Sequence, residues 1–321
     1  MSKISVIVVN WNGRDLLGDC LSTLRQQTFR DFEVILIDNG STDESVALIR
    51  REFPEVQLIT LDINLGFCGG NNRGFRAAQG DFIFFLNNDT KAHPAILERL
   101  YKVIERDPER VGSWAVKMLR WEQSDRIDNC GCGYSSFGGG YQIGTGELDR
   151  PFQKSRWVFG PSGGAGCYRR TVLEDIGLFD EDFFYNNEDV DLNFRAQLAG
   201  YQCHFVPEAI IYHRGSATGG ATSDNTIYHI QRNKEWVFFK NMPSSLLWKY
   251  LLFHCLYSFG WILYWTMKGK GKVVLRAKWD ALYGWRTVWN KRCQIQSRRR
   301  ACLHYLDSII DRRRVSRLWR H

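Results

Sequence analysis

The alternation of short apolar runs with helical patterns constrains the fold of this chain more than any other feature. Five runs are predicted strands: Ile4–Asn10, Phe32–Asp38, Val56–Leu61, Phe82–Asn87 and Val111–Met118. Between the first two, apolar residues from Leu16 to Leu24 recur at the spacing of an amphipathic helix. Strands that alternate with helices are typical of parallel sheets. The sequence therefore predicts an α/β fold with a mostly parallel sheet and flanking helices.

Polar residues recur where several of these predicted strands end. They are Asn10 and Asn12, Asp38, Asn64, and the run Asn87-Asn88-Asp89. Each one alone is explained better by an ordinary turn residue that caps a helix. Because ligands of open parallel sheets bind at the carboxyl ends of strands, the set as a whole predicts a binding site.

The motifs of several other enzyme classes are missing from the sequence. Asn10-Trp11-Asn12-Gly13 follows the first strand, where a dinucleotide-binding enzyme would carry G-x-G-x-x-G. A nucleotidylyltransferase would carry a Gly-rich loop and a Lys at the same place. No G-x-x-x-x-G-K-[ST] loop and no H-E-x-x-H motif occurs. The absence of these motifs excludes dinucleotide-binding enzymes, P-loop enzymes and zincins of the usual kind.

Two local patterns predict helix starts near this site. Ser41 with Glu44 three residues later predicts a capping box. The Gly-rich segment Asn64–Gly74 predicts a loop whose backbone amides approach phosphate before a helix over Asn71–Gln79. Asn10, Asn12, Asp38 and Asn88 at the strand ends, together with Asn64, Gly69, Gly70 and Asn71, are thus the predicted contacts of a nucleotide-linked ligand.

Carboxylates occur where transfer from a nucleoside diphosphate sugar would need them. Asp89 ends an apolar strand and offers oxygen to a hard cation such as Mg²⁺ or Mn²⁺. Glu188, Asp189 and Asp191 stand together before a helical stretch and are candidates for a general base. Acids that complement a helix dipole are the alternative explanation for Glu188 or Asp191.

Several strings resemble glycosyltransferase family 2, in its rhamnosyltransferase-like branch, from Ile4 to about Trp236. They are ISVIVVNWNG, ILIDNGSTDES, NLGFCGGNNRG, FFLNNDT and GLFDEDFFYNNEDVDLNFR, followed by His213. The resemblance implies a GT-A fold, an inverting single displacement, and a role in bacterial polysaccharide or glycolipid synthesis.

The same resemblance assigns roles to single residues. Asp38 matches the nucleoside-binding Asp, Asp189 the general base, and Asp89 the last residue of the metal motif, with Glu188 beside the base. His213 lies where some members have a metal-ligating His, and a structural histidine after a strand is the alternative. The usual Asp-x-Asp motif is Asn87-Asn88-Asp89 here, so one carboxylate is missing.

The segment Gly160–Gly166 resembles the small-residue segment that lines the acceptor side in this family. Gly163, Gly164 and Ala165 are its predicted acceptor-side residues. A tight turn that only allows close packing is the alternative explanation.

The C-terminal part of the chain differs from the rest in charge and in aromatic content. From Lys268 to His321 there are 16 Lys and Arg against three Asp, whereas the remainder has 27 basic and 32 acidic residues. Ser245–Met267 is mostly apolar, with Trp and Tyr dispersed along it. This pattern predicts a helix in the headgroup region of an anionic membrane. A membrane span, a solvated helix and an RNA-binding tail are the alternatives.

These observations predict two parts, a GT-A domain over 1–240 and a helical, basic, membrane-associating tail over 241–321. The predicted function is inverting transfer of a sugar, with L-rhamnose from dTDP-rhamnose as the preferred donor by resemblance, to a lipid-linked or polysaccharide acceptor. A UDP-sugar donor and a non-catalytic sugar-nucleotide-binding module are the alternatives. Because no basic n-region precedes the first strand and the nine Cys form no C-x-x-C pair, we expect a cytoplasmic protein on the inner face of the cell membrane. No nucleic acid partner is expected.

Overall fold

The computed structural model describes residues 2–215 and 222–312. Its strands are β1 (Ile4–Asn10), β2 (Phe32–Asp38), β3 (Gln57–Thr60), β4 (Phe82–Asn87), β5 (Thr90–Ala92), β6 (Val111–Arg120), β7 (Gln123–Asn129), β8 (Cys132–Ser135), β9 (Gly140–Gln142), β10 (Arg156–Val158), β11 (Ala165–Arg169), β12 (Gln202–His213) and β13 (Ile310–Asp311). Its α-helices are α1 (Arg14–Arg25), α2 (Ser45–Glu52), α3 (Gly66–Ala77), α4 (Ile96–Ile104), α5 (Arg170–Ile176), α6 (Glu188–Leu198), α7 (Asp224–Asn241), α8 (Ser244–Met267), α9 (Gly271–Tyr283), α10 (Trp285–Ser297) and α11 (Leu303–Ile309).

One large twisted sheet forms the centre of the molecule, in the strand order β10-β12-β6-β11-β4-β1-β2-β3. The strands β3, β2, β1 and β4 are parallel, and so are β6 and β12. Strand β11 lies antiparallel between β4 and β6. The predicted α/β class, with a mostly parallel sheet and flanking helices, is confirmed.

The sheet is covered on both faces because its central strands are apolar on both faces. In β1, Val6 and Val8 are fully buried in one core cluster, and Ile7 is fully buried in the other. This pattern is expected of a parallel strand that lies between two helical layers. The five predicted strands all exist, with ends that differ from the prediction by at most two residues.

Helix α3 packs closely on β1, and its glycines permit this approach. A Cβ atom on Gly70 would lie 2.7 Å from Val9 Cγ1, and one on Gly74 would collide with Ile7. The helix begins at Gly66, so the predicted free loop over Asn64–Gly74 is wrong from that residue onward. The Gly-rich composition reflects close helix–strand packing as well as any contact with a ligand.

The C-terminal helices pack against the rest of the molecule. Strand β13 pairs with β8 through Ile310 and Tyr134. The Arg292 guanidinium donates to the backbone carbonyls of Phe239 and Met242 at 2.7 and 2.6 Å. A domain boundary after residue 240 stays a prediction, and these contacts join the two predicted parts across it.

Helix α8 carries the predicted apolar segment as one uninterrupted helix of 24 residues. By length and composition it could cross a membrane, with a mean hydropathy of 1.3 over its most apolar window, of which 22% is buried. One stripe of its residues at helical spacing is exposed: Trp248, Leu252, Leu256, Phe259, Leu263 and Met267. We call this set the α8 stripe.

Candidate active site

Three strand ends meet in a hydrogen-bonded cluster of polar side chains. Asn10 Nδ2 donates to Asp38 Oδ1 at 3.2 Å, and Asn88 Nδ2 donates to Asn10 Oδ1 at 2.8 Å. All three side chains are buried, because β1 lies between β2 and β4 and aligns their carboxyl ends. The structure thus brings three of the predicted nucleotide-sugar contacts together.

Ser41 belongs to this cluster, although its sequence context predicted a helix cap. Its hydroxyl oxygen accepts the backbone N–H of Asn12 at 2.9 Å and Asn10 Nδ2 at 3.3 Å. Asn12 Oδ1 in turn accepts the N–H of Thr42 at 2.8 Å. The predicted capping box is wrong, since α2 begins one residue after Glu44 and no side chain caps it.

Backbone N–H groups at the N-terminus of α3 donate hydrogen bonds to nearby groups of the protein. Asn64 Oδ1 accepts the N–H of Gly66 at 2.8 Å and Asn39 Nδ2 at 2.9 Å. The carbonyl of Phe184 accepts the N–H of Cys68 at 3.1 Å. Amides that the sequence assigned to phosphate binding therefore already have partners within the protein.

Gly69, Gly70 and Asn71 lie inside α3 and are buried. A Cβ on Gly69 would collide with Leu65, and Asn71 Nδ2 donates to the carbonyl of Phe67 at 2.9 Å. Contact of these three residues with a nucleotide sugar stays a prediction, and packing accounts for each of them in the structure.

Asp89 and His213 face each other across the end of β4. Strand β5 pairs antiparallel with the end of β12, which sets His213 opposite Thr90 and beside Asp89. His213 Nε2 lies 3.2 Å from Asp89 Oδ1. Both atoms are buried, and apart from this ion-pair contact with each other neither has a hydrogen-bond partner within residues 2–215 and 222–312.

The other ring nitrogen of His213 is held by a residue that sequence reasoning missed. Asp128 Oδ2, on β7, lies 2.8 Å from His213 Nδ1. Burial lowers the pKa of His213, but the hydrogen bonds with Asp128 and Asp89 outweigh it and raise that pKa to about 10. Without a cation, Nε2 of His213 therefore carries a proton at neutral pH. A divalent cation at this place would displace that proton, while Asp128 keeps the N–H at Nδ1 in place.

These residues fit a divalent cation, because the two buried atoms face each other and have no further hydrogen-bond partner among the described residues. Oxygen and imidazole donors together suit Mn²⁺, and a carboxylate alone suits Mg²⁺. Among the described residues, no group of three or more His, Cys, Asp or Glu could hold a metal ion. A cation here would therefore need further ligands from the substrate.

Glu188 and Asp189 begin α6, beside the small-residue segment. Asp189 Oδ2 accepts the N–H of Gly163 at 2.8 Å, and its Oδ1 accepts the N–H of Val190 at 2.7 Å. Asp189 is only partly buried. Glu188 is 6% exposed, and its Oε2 has no hydrogen-bond partner in the part of the chain that the structure describes.

The surroundings of the two carboxyl groups favour their protonated forms. Burial raises the pKa of Glu188 well above its ordinary value, and the charge of Asp189 raises it further. Burial also raises the pKa of Asp189, against the N–H groups of Gly163 and Val190, which lower it. A carboxylate whose pKa is raised toward neutrality is a better general base than an ordinary Asp.

The small-residue segment connects this acidic pair with the end of β4. The carbonyl of Gly164 accepts the N–H of Asn87 at 2.9 Å, and Ala165 pairs with Leu86. A Cβ on Gly163 would lie 3.1 Å from Glu188 Oε1. The predicted acceptor-side residues thus lie between the acidic pair and the strand that leads to Asp89.

Asp191, the third acid of the cluster, has a structural role. It is fully buried and forms ion pairs with Arg195 at 3.0 Å and Lys240 at 2.7 Å. Asn241 Nδ2 donates to its Oδ1 at 2.7 Å. Since its charge is compensated on α6 and α7, Asp191 ties these two helices together.

Sequence reasoning missed Asn39, Ser41 and Asp128 as members of the site. Asn39 and Ser41 lie on either side of Gly40. The sequence predicted a turn over Asp38-Asn39-Gly40 and a helix cap at Ser41. A polar side chain beside a predicted strand end was the signal that could have found them. Asp128 lies on an outer strand with no motif around it, so the sequence offered no comparable signal.

Residues 5–177 match the family described as "Glycosyl transferase family 2". The match ends before Glu188 and Asp189. The chain is 30% identical over 225 residues to the O-antigen biosynthesis protein RfbC of Myxococcus xanthus, an alignment that covers 67% of this chain and 18% of that protein. It is 26% identical over 250 residues to the N-acetylglucosaminyl-diphospho-decaprenol L-rhamnosyltransferase of Mycobacterium tuberculosis, which covers 70% and 81% of the two chains.

Among solved structures, residues 1–349 of S. aureus TarS have a similar fold. The TM-score is 0.52 at 19% sequence identity, with 79% of this chain and 70% of that chain covered. The complex of the same TarS fragment with UDP gives a TM-score of 0.51 at 19% identity and covers 78% and 70% of the chains. At this level of identity, the likeness concerns the GT-A fold.

Proposed function

Since the chain belongs to glycosyl transferase family 2, we propose that it moves a sugar from a nucleoside diphosphate sugar to a hydroxyl group, with inversion at the anomeric carbon. The observation that carries this proposal is the placement of Asp189. Backbone N–H groups hold both of its carboxylate oxygens, and the side chain stays partly exposed. A fixed carboxylate that remains partly exposed is what a general base requires.

In this reaction Asp189 accepts the proton of the acceptor hydroxyl. The acceptor oxygen bonds to the anomeric carbon while the bond from that carbon to the diphosphate breaks, and the electron pair leaves with the diphosphate. Glu188 retains its own proton because burial and the neighbouring Asp189 charge raise its pKa. A neutral Glu188 places no second negative charge beside Asp189, which favours the ionised form of Asp189.

The nucleotide part of the donor binds at the carboxyl ends of β1, β2 and β4. Asp38 supplies acceptor oxygens for the base or the ribose, and its neighbours Asn10 and Asn88 keep it oriented. Asn12 and Asn64 line the same edge of the sheet. Buried and mutually bonded amides hold such a site rigid before the ligand arrives.

Asp89 and His213 would hold a divalent cation, Mg²⁺ or Mn²⁺, and Asp128 would orient His213. The cation supplies positive charge for the diphosphate leaving group. Two protein ligands make a weaker site than a complete cage, so we expect binding of the cation to depend on the diphosphate.

The donor sugar that we propose is L-rhamnose from dTDP-rhamnose. The name of the M. tuberculosis relative, an L-rhamnosyltransferase with 26% identity, supports it. A UDP-sugar is the second candidate, because the TarS fragment of similar fold has been solved in complex with UDP.

We propose a lipid-linked or polysaccharide acceptor and attachment to the inner face of the cell membrane from the cytoplasm. The α8 stripe and the basic helices after it supply the apolar and the positively charged surface that this attachment needs. The ring of Phe137 contacts Phe253 and Tyr257 of α8, and on the same hairpin Gly140 packs on Val190, next to Asp189. One hairpin therefore separates the membrane-facing helix from the proposed base.

The test is release of nucleoside diphosphate from a panel of sugar donors, dTDP-rhamnose and UDP-sugars included, with and without Mn²⁺. We expect one donor to be turned over and Asp189→Asn to lose at least about 10²-fold in kcat, with little change in donor affinity by calorimetry. Near-normal turnover in Asp189→Asn would assign the base elsewhere, first to Glu188. Donor binding without turnover would support the non-catalytic sugar-nucleotide-binding alternative.

A further inference from the structure

The loop before the acidic pair has an uncommon backbone conformation. Phe184, Asn186 and Asn187 all have φ of 65°. Residues other than Gly adopt a positive φ rarely, and they keep it only where surrounding contacts impose it. Because Asn187 directly precedes Glu188, this loop sets the direction in which α6 presents Asp189.

One face of α7 covers this loop. The Tyr185 hydroxyl lies 3.2 Å from Thr226 Oγ1, and Asn187 Nδ2 donates to the carbonyl of Ile230 at 3.4 Å. Thr226, Ile230 and Asn233 are four and three residues apart, so they lie on the same side of the helix.

Asn233 makes the most extensive of these contacts. It is fully buried, and its Nδ2 donates to the backbone carbonyls of Phe183, Tyr185 and Asn186 at 2.9, 2.9 and 2.7 Å. Its Oδ1 accepts Arg232 Nε at 2.9 Å. The two N–H groups of one carboxamide are thus shared among three backbone carbonyls of the loop, of which that of Phe183 also accepts the N–H of Tyr185.

Arg232 extends the same support. Its Nη2 donates to the carbonyls of Asp182 and Phe183 at 2.7 and 3.3 Å. Its guanidinium lies over the ring of Trp236, 4.3 Å from the centroid, which holds the group in place.

The supported loop also touches the donor side of the site. The carbonyl of Phe184 accepts the N–H of Cys68, and a Cβ on Gly66 would collide with the Phe184 ring. The loop therefore lies between the N-terminus of α3 and the start of α6. A shift of the loop would move Asp189 relative to the strand ends that bind the nucleotide.

We propose that Asn233 is a positioning residue for catalysis: by binding the carbonyls of Phe183, Tyr185 and Asn186 it fixes the loop that aims Asp189 at the acceptor. This inference rests on the proposed function, in which Asp189 is the general base. Asn233 touches neither reactant, so its effect should fall on turnover and much less on donor affinity.

Asn241 is a matched control on the same helix. It is also fully buried and also donates from its side-chain amide, but to Asp191 on the body of α6 and not to the loop. Asn233→Ala and Asn241→Ala should therefore lose similar thermal stability. Only Asn233→Ala should release the loop.

The experiment compares the two variants with the full-length wild type by hydrogen exchange and by kcat. We expect faster exchange over residues 183–187 and a loss of kcat of about 10²-fold in Asn233→Ala alone, as a base displaced by about 1 Å would give. Equal losses in both variants, or unchanged kcat in Asn233→Ala, would overturn the proposal.

Arg232→Ala is the second variant, since Arg232 is only partly buried and its loss threatens folding less. If Asn233→Ala does not fold, a fall in kcat of Arg232→Ala with unchanged donor affinity supports the proposal, and unchanged kcat overturns it. A wild type that turns over no donor would instead refute the proposed function, and with it the role of Asn233.

Discussion

The backbone N–H of Gly163 donates to Oδ2 of Asp189 at 2.8 Å, and this bond ties the small-residue segment to the acidic pair. The N–H stabilises the ionised carboxylate and fixes which of its oxygens faces away from the segment. A base held in this way loses little conformational entropy when the acceptor arrives. The same bond leaves almost no space for a side chain at position 163.

Gly163→Ala should therefore impair catalysis. The new Cβ would lie 3.1 Å from Glu188 Oε1 and 3.3 Å from Asp189 Cβ, so the acidic pair must shift. We expect kcat to fall about 10-fold or more, since small displacements of catalytic groups are costly. Gly18→Ala on α1 is the control, because nothing lies within 4 Å of the added atom. Steady-state kinetics that gave both variants wild-type kcat would contradict this account of Gly163.

Asp128→Asn should weaken binding of Mn²⁺ without removing a ligand. Asp128 holds His213 Nδ1 at 2.8 Å, and loss of such an outer partner typically costs about 10- to 100-fold in metal affinity. The measurement is calorimetric titration of Mn²⁺ in the presence of the nucleoside diphosphate product. Asp125→Asn, on the same strand with an exposed side chain, is the control and should titrate like wild type. Identical titrations for wild type and both variants would show that Asp128 does not contribute to cation binding.

Glu188→Gln should stabilise the fold at alkaline pH. Because the folded protein raises the pKa of Glu188, wild-type stability is lost as pH rises from the unfolded value of about 4.3 through the folded pKa. The amide has no such titration, so the advantage of the variant grows with pH. We expect wild type and variant to have similar Tm values near pH 5. At pH 9 the variant should have the higher Tm, by about 2–4 °C for each kcal/mol of difference in the free energy of unfolding. A Tm difference that is constant from pH 5 to pH 9 would argue against a raised pKa.

Local patterns in the sequence predicted the positions of the strands well. Ile4–Asn10, Phe32–Asp38 and Phe82–Asn87 match the observed strands residue for residue, because a buried parallel strand must be apolar throughout and ends where polar residues begin. The meeting of Asn10 with Asp38 and Asn88 followed from the same rule for strand ends. Family resemblance, not periodicity, supplied the pairing of Asp89 with His213.

Features that depend on packing between distant segments were not predicted. The start of α3 at Gly66 depends on Asn39, Asn64 and the carbonyl of Phe184, which no local pattern reveals. Ser41 has the spacing of a helix cap, but Asn10 and Asn12 compete for its hydroxyl. In both cases hydrogen bonds between residues distant in sequence decided the local structure, and the local pattern of the sequence did not.

Membrane attachment by the C-terminal helices cannot be tested by truncation after α7, because these helices also stabilise the rest of the molecule. Lys291 forms ion pairs with Asp180 and Asp182. Arg292 donates to the backbone carbonyls of Phe239, on α7, and of Met242, which follows α7. A truncated chain would lose these contacts together with any membrane surface. Point substitutions on the exposed stripe of α8 avoid this problem, since Leu252 and Phe259 are 68% and 59% exposed.

We predict that the double variant Leu252→Glu and Phe259→Glu loses binding to anionic vesicles while it keeps turnover of the donor. Full burial of a Leu or Phe side chain contributes about 1.5–3 kcal/mol, so losing two should weaken partitioning by about 100-fold or more. Each nearby Lys or Arg adds about 1 kcal/mol, which makes the wild-type interaction sensitive to salt. The measurement is flotation with anionic vesicles at low and high salt, followed by an alkaline carbonate wash. Trp157→Glu, at the outer strand β10, is the control and should float like wild type. Release of the wild type by salt and carbonate supports peripheral attachment, whereas full retention through carbonate would mean that α8 crosses the bilayer.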